Sequence, residues 1–143
     1  YLLDDLMTKD INYTSTVPKD ADIETIRVGI EASKMLTIID AGQTAVVKDG
    51  SVISLEGVEG TDKTIQRAYD LAGKNCIIVK SARPKQDNRI DIPTIGLDTI
   101  KKIVEINAKG IVIEADKMLF LDQDEVISYA NKNKIFIKGM KYD

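Results

Sequence analysis

Residues 76–96 read Cys76-Ile77-Ile78-Val79-Lys80-Ser81-Ala82-Arg83-Pro84-Lys85-Gln86-Asp87-Asn88-Arg89-Ile90-Asp91-Ile92-Pro93-Thr94-Ile95-Gly96, and the change of character inside this stretch decides the fold. It opens on Cys76-Ile77-Ile78-Val79, which has the length and β-branching of a buried strand. The chain then turns polar. Lys80, Arg83, Lys85 and Arg89 stand among Asp87 and Asp91, four cations against two carboxylates, in a chain of formal net charge −3. Pro84 and Pro93 restrict the backbone on either side. A stiff, charged loop at the end of a buried strand is where α/β proteins commonly place a ligand. The same charges can instead pair with one another in a solvated connection. The ordering Gln86, Asp87, Arg89, Asp91 between two prolines favours a ligand. Cations hold phosphoryl oxygens, and carboxylates hold a hard divalent metal or a water.

Outward from this stretch, strands and helices alternate. Asp20 or Asp22 is expected to cap a helix running to about Leu36, with Ile23, Ile26 and Ile30 on one face. Asp49-Gly50 between two β-rich runs predicts a hairpin over residues 44–55. Thr61 is expected to cap a second helix, with Ile65, Ala68, Tyr69 and Ala72 inward and Gly73 as its stop. Asp98 is expected to cap a third, with Ile100, Ile103 and Val104 inward. Gly110–Ala115 reads as another buried strand and Met118–Leu121 as a short one. Asp122-x-x-Glu125 resembles a capping box opening a last helix, before the strand Ile135-Phe136-Ile137. The expected fold is α/β, a mixed β-sheet flanked by helices with one antiparallel hairpin.

Composition narrows the chemistry. The 143 residues are 43% hydrophobic and 30% charged, enough for one domain with a real core. The acidic balance and only 5% aromatics disfavour nucleic acid as a partner. Cys76 has no second cysteine to pair with and reads as a small core residue of a reducing compartment. No run is long enough to span a bilayer. The chain opens at Tyr1 without a Met, as expected for a piece of a longer protein, and residues 1–19 read as an irregular lead-in. There is no histidine, which removes Ser-His-Asp triads, Cys-His pairs and His-ligated zinc. Catalysis has to run on carboxylates, Lys, Arg, Tyr or Thr, and an all-oxygen site suits Mg²⁺ or Mn²⁺.

Gly57-Val58-Glu59-Gly60-Thr61-Asp62-Lys63-Thr64 invites comparison with a phosphate-binding P-loop and fails it, because Asp62 stands where that pattern needs Gly. Backbone N–H groups at this helix start can still hold an anion, with Glu56, Glu59 and Asp62 beside it for a cation. Plain helix capping by Thr61 and Asp62 is the simpler use of the same residues. Gln43 is a weak signal alone. Glu114 is mildly suggestive, since acids are scarce at the end of buried strands.

The ordered motifs carry more than any one of them. Asp40-x-Gly42-Gln43-x-x-Val46-Val47-x-x-Gly50 comes first, then Glu56-x-x-Glu59-Gly60-Thr61-Asp62. Val79-Lys80-x-x-x-Pro84-x-Gln86-Asp87-x-Arg89-x-Asp91-x-Pro93-x-Ile95-Gly96 and Gly110-Ile111-x-x-Glu114-Ala115 complete the series. From about residue 20 to the end, the chain resembles the carboxy-terminal domain of the LpxI-type UDP-2,3-diacylglucosamine pyrophosphatases. The segment before residue 20 is similar to that family's interdomain linker.

The resemblance implies a step of lipid A synthesis in Gram-negative bacteria, in which water splits the diphosphate of UDP-2,3-diacylglucosamine into lipid X and UMP. It implies Mg²⁺ or Mn²⁺, a homodimer, and work in the cytoplasm at the inner-membrane face. It implies an amino-terminal Rossmann-like domain that this chain lacks, with the lipid-linked UDP-sugar between the two, so that this fragment can hold catalytic residues without turnover. The family's essential aspartate falls on Asp91, expected to bind the metal or orient the water. Asp62 and Asp87 are candidate supporting metal ligands, and Lys80 and Arg89 candidates to hold phosphoryl oxygens. Gln43, Thr61, Gln86 and Thr94 are candidate substrate contacts. The alternative is a non-catalytic ligand-binding or dimerisation module whose loop charges are structural.

Overall fold

The computed structural model describes residues 3–84 and 92–143. Lys85, Gln86, Asp87, Arg89 and Asp91 of the charged loop lie outside these residues. The expected alternation is present: α1 (Leu3–Leu6), α2 (Ile23–Ile38), β1 (Thr44–Lys48), β2 (Ser51–Leu55), α3 (Thr61–Ala72), β3 (Ile77–Lys80), β4 (Thr94–Ile95), α4 (Leu97–Glu105), β5 (Gly110–Glu114), β6 (Leu119–Phe120), α5 (Gln123–Lys132) and β7 (Phe136–Met140). A five-stranded sheet runs in the order β2-β1-β3-β5-β7, and β4 pairs with β6 in a separate ribbon. β3, β5 and β7 are parallel, while β1 is antiparallel to both its neighbours. The hairpin turn has Asp49 at φ 50° and Gly50 at φ 80°, the positive values of a type I′ turn.

Side chains alternate across the strands and sort the core into two layers. Val46, Ile78, Ile111, Ile113 and Ile137 face α3, α4 and α5, which contribute Ile65, Ala68, Ile100, Ile103, Val126 and Ala130. Val47, Ile77, Val79, Val112 and Phe136 face the other way, toward Ile26 of α2 and Tyr142. Gly29 lets α2 lie close on the sheet, since a Cβ there would stand 2.4 Å from the Val79 side chain.

Several local expectations are corrected. Ile23 and Tyr69 are exposed, each turned off the packed face of its helix. Thr61 is the first residue of α3, and Gly60 is its cap. Likewise α4 is capped at Gly96 rather than Asp98. Asp122 precedes α5 in the left-handed region without a capping hydrogen bond, so no capping box forms.

Of residues 1–19, those from Met7 to Ser15 are bound to the domain. The Tyr13 amide donates to the Ile137 carbonyl at 2.9 Å, and the Gly139 amide to the Ile11 carbonyl at 2.9 Å. Thr8 donates through its hydroxyl to the Glu114 carbonyl at 2.7 Å. This segment covers the outer edge of β7, whose ladder would otherwise be open.

Candidate functional site

Three parallel strands end along one edge of the sheet, and β1 begins and β2 ends at the same edge. This carboxyl edge is where an α/β sheet offers a crevice. It gathers Gln43, Thr44, Glu56, Lys80 and Glu114, and α3 starts just beyond it.

Glu56 is the knot. Its Oε1 accepts the amides of Gln43 at 2.9 Å and Thr44 at 3.1 Å. Its Oε2 accepts the Thr61 hydroxyl at 3.3 Å. One carboxylate therefore joins the start of β1, the exit of β2 and the first residue of α3. Gly42 is required by this fold-over, because a Cβ there would stand 2.6 Å from the Glu56 carbonyl oxygen. Glu59 is tied to Arg67 at 2.5 Å. The expected cation cradle of Glu56, Glu59 and Asp62 is thus reduced to Asp62, whose carboxylate alone of the three makes no ion pair or side-chain hydrogen bond among the described residues. Asp62 is exposed on the first turn of α3.

Lys80 occupies the end of β3 opposite Thr44 of β1. Cross-strand partners share a face, and Thr44 lies two residues before Val46, so both side chains point to the α3 side. Thr44 Oγ1 lies 3.4 Å from Thr61 Oγ1, which fixes where that face meets α3. Lys80 is only 9% exposed, yet its ammonium makes no ion pair or hydrogen bond among the described residues. Burial lowers its pKa, and the nearby carboxylates of Glu56 and Asp62 act against that fall. Lys80 therefore lies on the sheet face that α3 covers, near the carboxylates of Glu56 and Asp62.

A charged lysine held there costs stability. Because its folded pKa is below its unfolded value, the folded state binds fewer protons between the two, so stability rises with pH across that interval. Lys80→Met is expected to melt about 3 °C higher near neutral pH, roughly 1 kcal/mol for a domain of this size. That advantage should narrow as pH rises toward the ordinary lysine value. Melting curves at neutral and alkaline pH check this; a lower melting temperature for the variant would show that the ammonium stabilises the fold.

Gln43 has a structural part. Its carbonyl accepts the Ser81 amide at 2.9 Å, and its Nε2 donates to the Ser81 carbonyl at 3.3 Å. Thr94 is on the β4–β6 ribbon opposite Leu119 and makes no hydrogen bond to this cluster. Arg89 and Asp91, with Gln86 and Asp87, lie outside the described residues.

Partners that the sequence did not announce hold the strand ends. Ser81 Oγ and Ser33 Oγ share a hydrogen bond of 2.5 Å between β3 and α2. The Tyr142 hydroxyl donates to the Lys80 carbonyl at 2.7 Å, and burial pushes its pKa well up. Neither pair has a spacing signal, since each joins residues distant in sequence. Glu114, buried at the end of β5, takes the Ala82 amide at 3.0 Å and so fixes the chain as it leaves β3. Arg83, one residue on, pairs with Asp40 at 3.1 Å.

A family model of the LpxI C-terminal domain matches residues 9–138. The chain belongs to the LpxI C-terminal domain family. The UDP-2,3-diacylglucosamine pyrophosphatase LpxI of Caulobacter vibrioides is 31% identical over 131 residues, which is 86% of this chain and 47% of that protein. The chain thus spans about half the length of that relative. The match of this LpxI-type domain begins at residue 9, inside the segment that lies along β7. Among the described residues, no helix is long and apolar enough to cross a membrane.

Proposed function

We propose that this domain is the catalytic half of a metal-dependent hydrolase that cleaves the diphosphate of UDP-2,3-diacylglucosamine, yielding lipid X and UMP. The observation that carries the reading is the buried Lys80 ammonium at the carboxyl edge, which makes no ion pair or hydrogen bond among the described residues. A buried cation without a protein partner is costly unless an anion visits it. Membership of the LpxI family and the named activity of the Caulobacter relative support the substrate.

The residues suit a hard cation in part. Asp62 is exposed and makes no ion pair or side-chain hydrogen bond among the described residues, whereas Glu56 and Glu59 are spent on neighbours. No cluster of three acidic or sulfur ligands forms among the described residues. Asp62 with Asp87 and Asp91 would hold Mg²⁺ or Mn²⁺. The ion supplies charge neutralisation at the diphosphate. Lys80 and Arg89 hold phosphoryl oxygens and stabilise charge that builds as the anhydride bond breaks. Asp91 orients the attacking water. Gln86 and Thr94 contact substrate; Gln43 and Thr61 shape the pocket wall. The protein works with an amino-terminal half, as a homodimer at the cytoplasmic face of the inner membrane.

The test is hydrolysis of UDP-2,3-diacylglucosamine by a chain carrying both halves. Activity is expected with Mg²⁺ or Mn²⁺, to vanish with a chelator, and to return when the ion is restored. Full activity in excess chelator would remove the metal from the proposal. A second reading, a non-catalytic ligand-binding or dimerisation module, draws on the structural hydrogen bonds that occupy Gln43, Glu56 and Thr61. It requires that neither ion produce turnover or raise the melting temperature.

A further inference from the structure

We infer that Tyr142 is a positioning residue for Lys80: from the opposite face of the sheet, its hydroxyl holds the end of β3 so that the Lys80 side chain stays on the face covered by α3. The inference rests on the proposed function for what Lys80 then does, which is to hold phosphoryl oxygens. Tyr142 is itself buried, so it acts through Lys80 and not on substrate.

Tyr142 lies two residues past β7 and turns back onto the sheet. It packs in the layer of Ile26, Val47, Val79, Val112 and Phe136, on the α2 side. Its one hydroxyl proton goes to the Lys80 carbonyl at 2.7 Å, with the Val112 carbonyl at 3.3 Å as a second acceptor. Val112 stands opposite Val79 in the ladder, so this hydroxyl spans the ends of β3 and β5. The Tyr142 carbonyl accepts the Lys34 ammonium of α2 at 3.3 Å, which ties the tail down. Burial, and then the charge of Glu114, push the Tyr142 pKa well up, so the hydroxyl remains a donor at neutral pH.

Side chains hold the chain as it leaves β3. Gln43 takes the Ser81 amide on its own carbonyl and donates through Nε2 to the Ser81 carbonyl. Glu114 takes the Ala82 amide. Of these side-chain bonds, the one from Tyr142 alone falls on Lys80 itself.

Lys80 needs such a brace. Its ammonium is nine-tenths buried and makes no ion pair or hydrogen bond among the described residues, so nothing there anchors the tip of the side chain. Glu56 and Asp62 act on it by charge at a distance. A long cationic side chain in that state swings its head to water once its backbone can turn. Fixing the carbonyl from one face fixes the direction of the Cα–Cβ bond on the other.

The experiment follows the ε-methylene signal of Lys80 against pH in the ¹³C-labelled chain, the signal being assigned by its loss in Lys80→Met. In Tyr142→Phe, water should reach the ammonium and the titration midpoint should rise toward the ordinary lysine value. Melting curves establish that the variant is folded, and Tyr142→Met, which also keeps an apolar side chain without the hydroxyl, is the second variant should it not be. In a chain carrying both halves, Tyr142→Phe should slow hydrolysis of UDP-2,3-diacylglucosamine about tenfold, as misplacement of a reacting group does. Added to Lys80→Met, it should cost less than about twofold more, because the hydroxyl then has no ammonium to place. A purely structural tyrosine would lower the melting temperature and leave the Lys80 midpoint where it was. An unmoved midpoint in a folded variant, or rate losses that multiply in the double variant, would overturn the inference. If the parent with both halves does not hydrolyse its substrate, the proposed function falls, and the midpoint alone decides whether Tyr142 places Lys80.

Discussion

Asp91→Ala, in a chain carrying both halves of the protein, is expected to lose turnover by about 10²–10⁴-fold or more, the usual worth of a group that orients a water or handles its proton. The family resemblance implies that the essential aspartate is Asp91, in Arg89-Ile90-Asp91-Ile92-Pro93. Arg89 and Asp91 are two apart in sequence, and the proposed function gives Arg89 the phosphoryl oxygens and Asp91 the water or metal. If Asp91 only balanced Arg89, its loss would act on stability, by an amount typical of a surface ion pair. Measuring the hydrolysis rate and the melting temperature on the same preparation separates the two. A silent enzyme with an unchanged melt supports catalysis. A full rate per folded molecule would end the catalytic assignment.

Gly139→Ala is expected to produce the largest loss of stability, about 3 kcal/mol, at the upper end of what overpacking a tight site costs. Gly139 lies in β7, where residues 9–13 cross its edge. A Cβ there would stand 1.8 Å from the Lys9 carbonyl oxygen, and backbone cannot yield as a flexible side chain can. Relief requires lifting the segment, which also breaks the bond from the Gly139 amide to the Ile11 carbonyl. The melting temperature should fall by roughly 10 °C. The parent with residues 1–16 deleted offers a check, since there the same substitution has nothing to strike and should cost far less. An unchanged melt for Gly139→Ala in the full chain would mean that the segment is not held against β7 in solution.

The alternation of elements was legible because it rests on local pattern. Asp49-Gly50 marks a turn that few other residues can make, and the apolar runs at 76–79 and 110–113 are too short and too β-branched for helices. Caps were harder. Thr61, Asp98 and Asp122 all have side chains that cap helices well, and none of them does so here. Thr61 is drawn instead to Glu56, a tertiary partner that outcompetes the local bond. In the sequence Glu56 stands with Glu59 and Asp62 as acids that can hold a cation beside the start of α3. Only the folded chain shows it consumed by the amides of Gln43 and Thr44.

By itself, the order of residues determined an α/β chain with a hairpin, a composition without histidine, and a likeness to the LpxI C-terminal domain family. Those rest on periodicity, composition and motif order, which survive in one dimension. Tertiary structure alone decided that Lys80 is buried without a partner among the described residues on the α3 face, that Glu56 is a brace, and that the lead-in segment lies along β7. Each of these depends on register between strands distant in sequence, and a one-residue slip in that register would turn Lys80 to the opposite face.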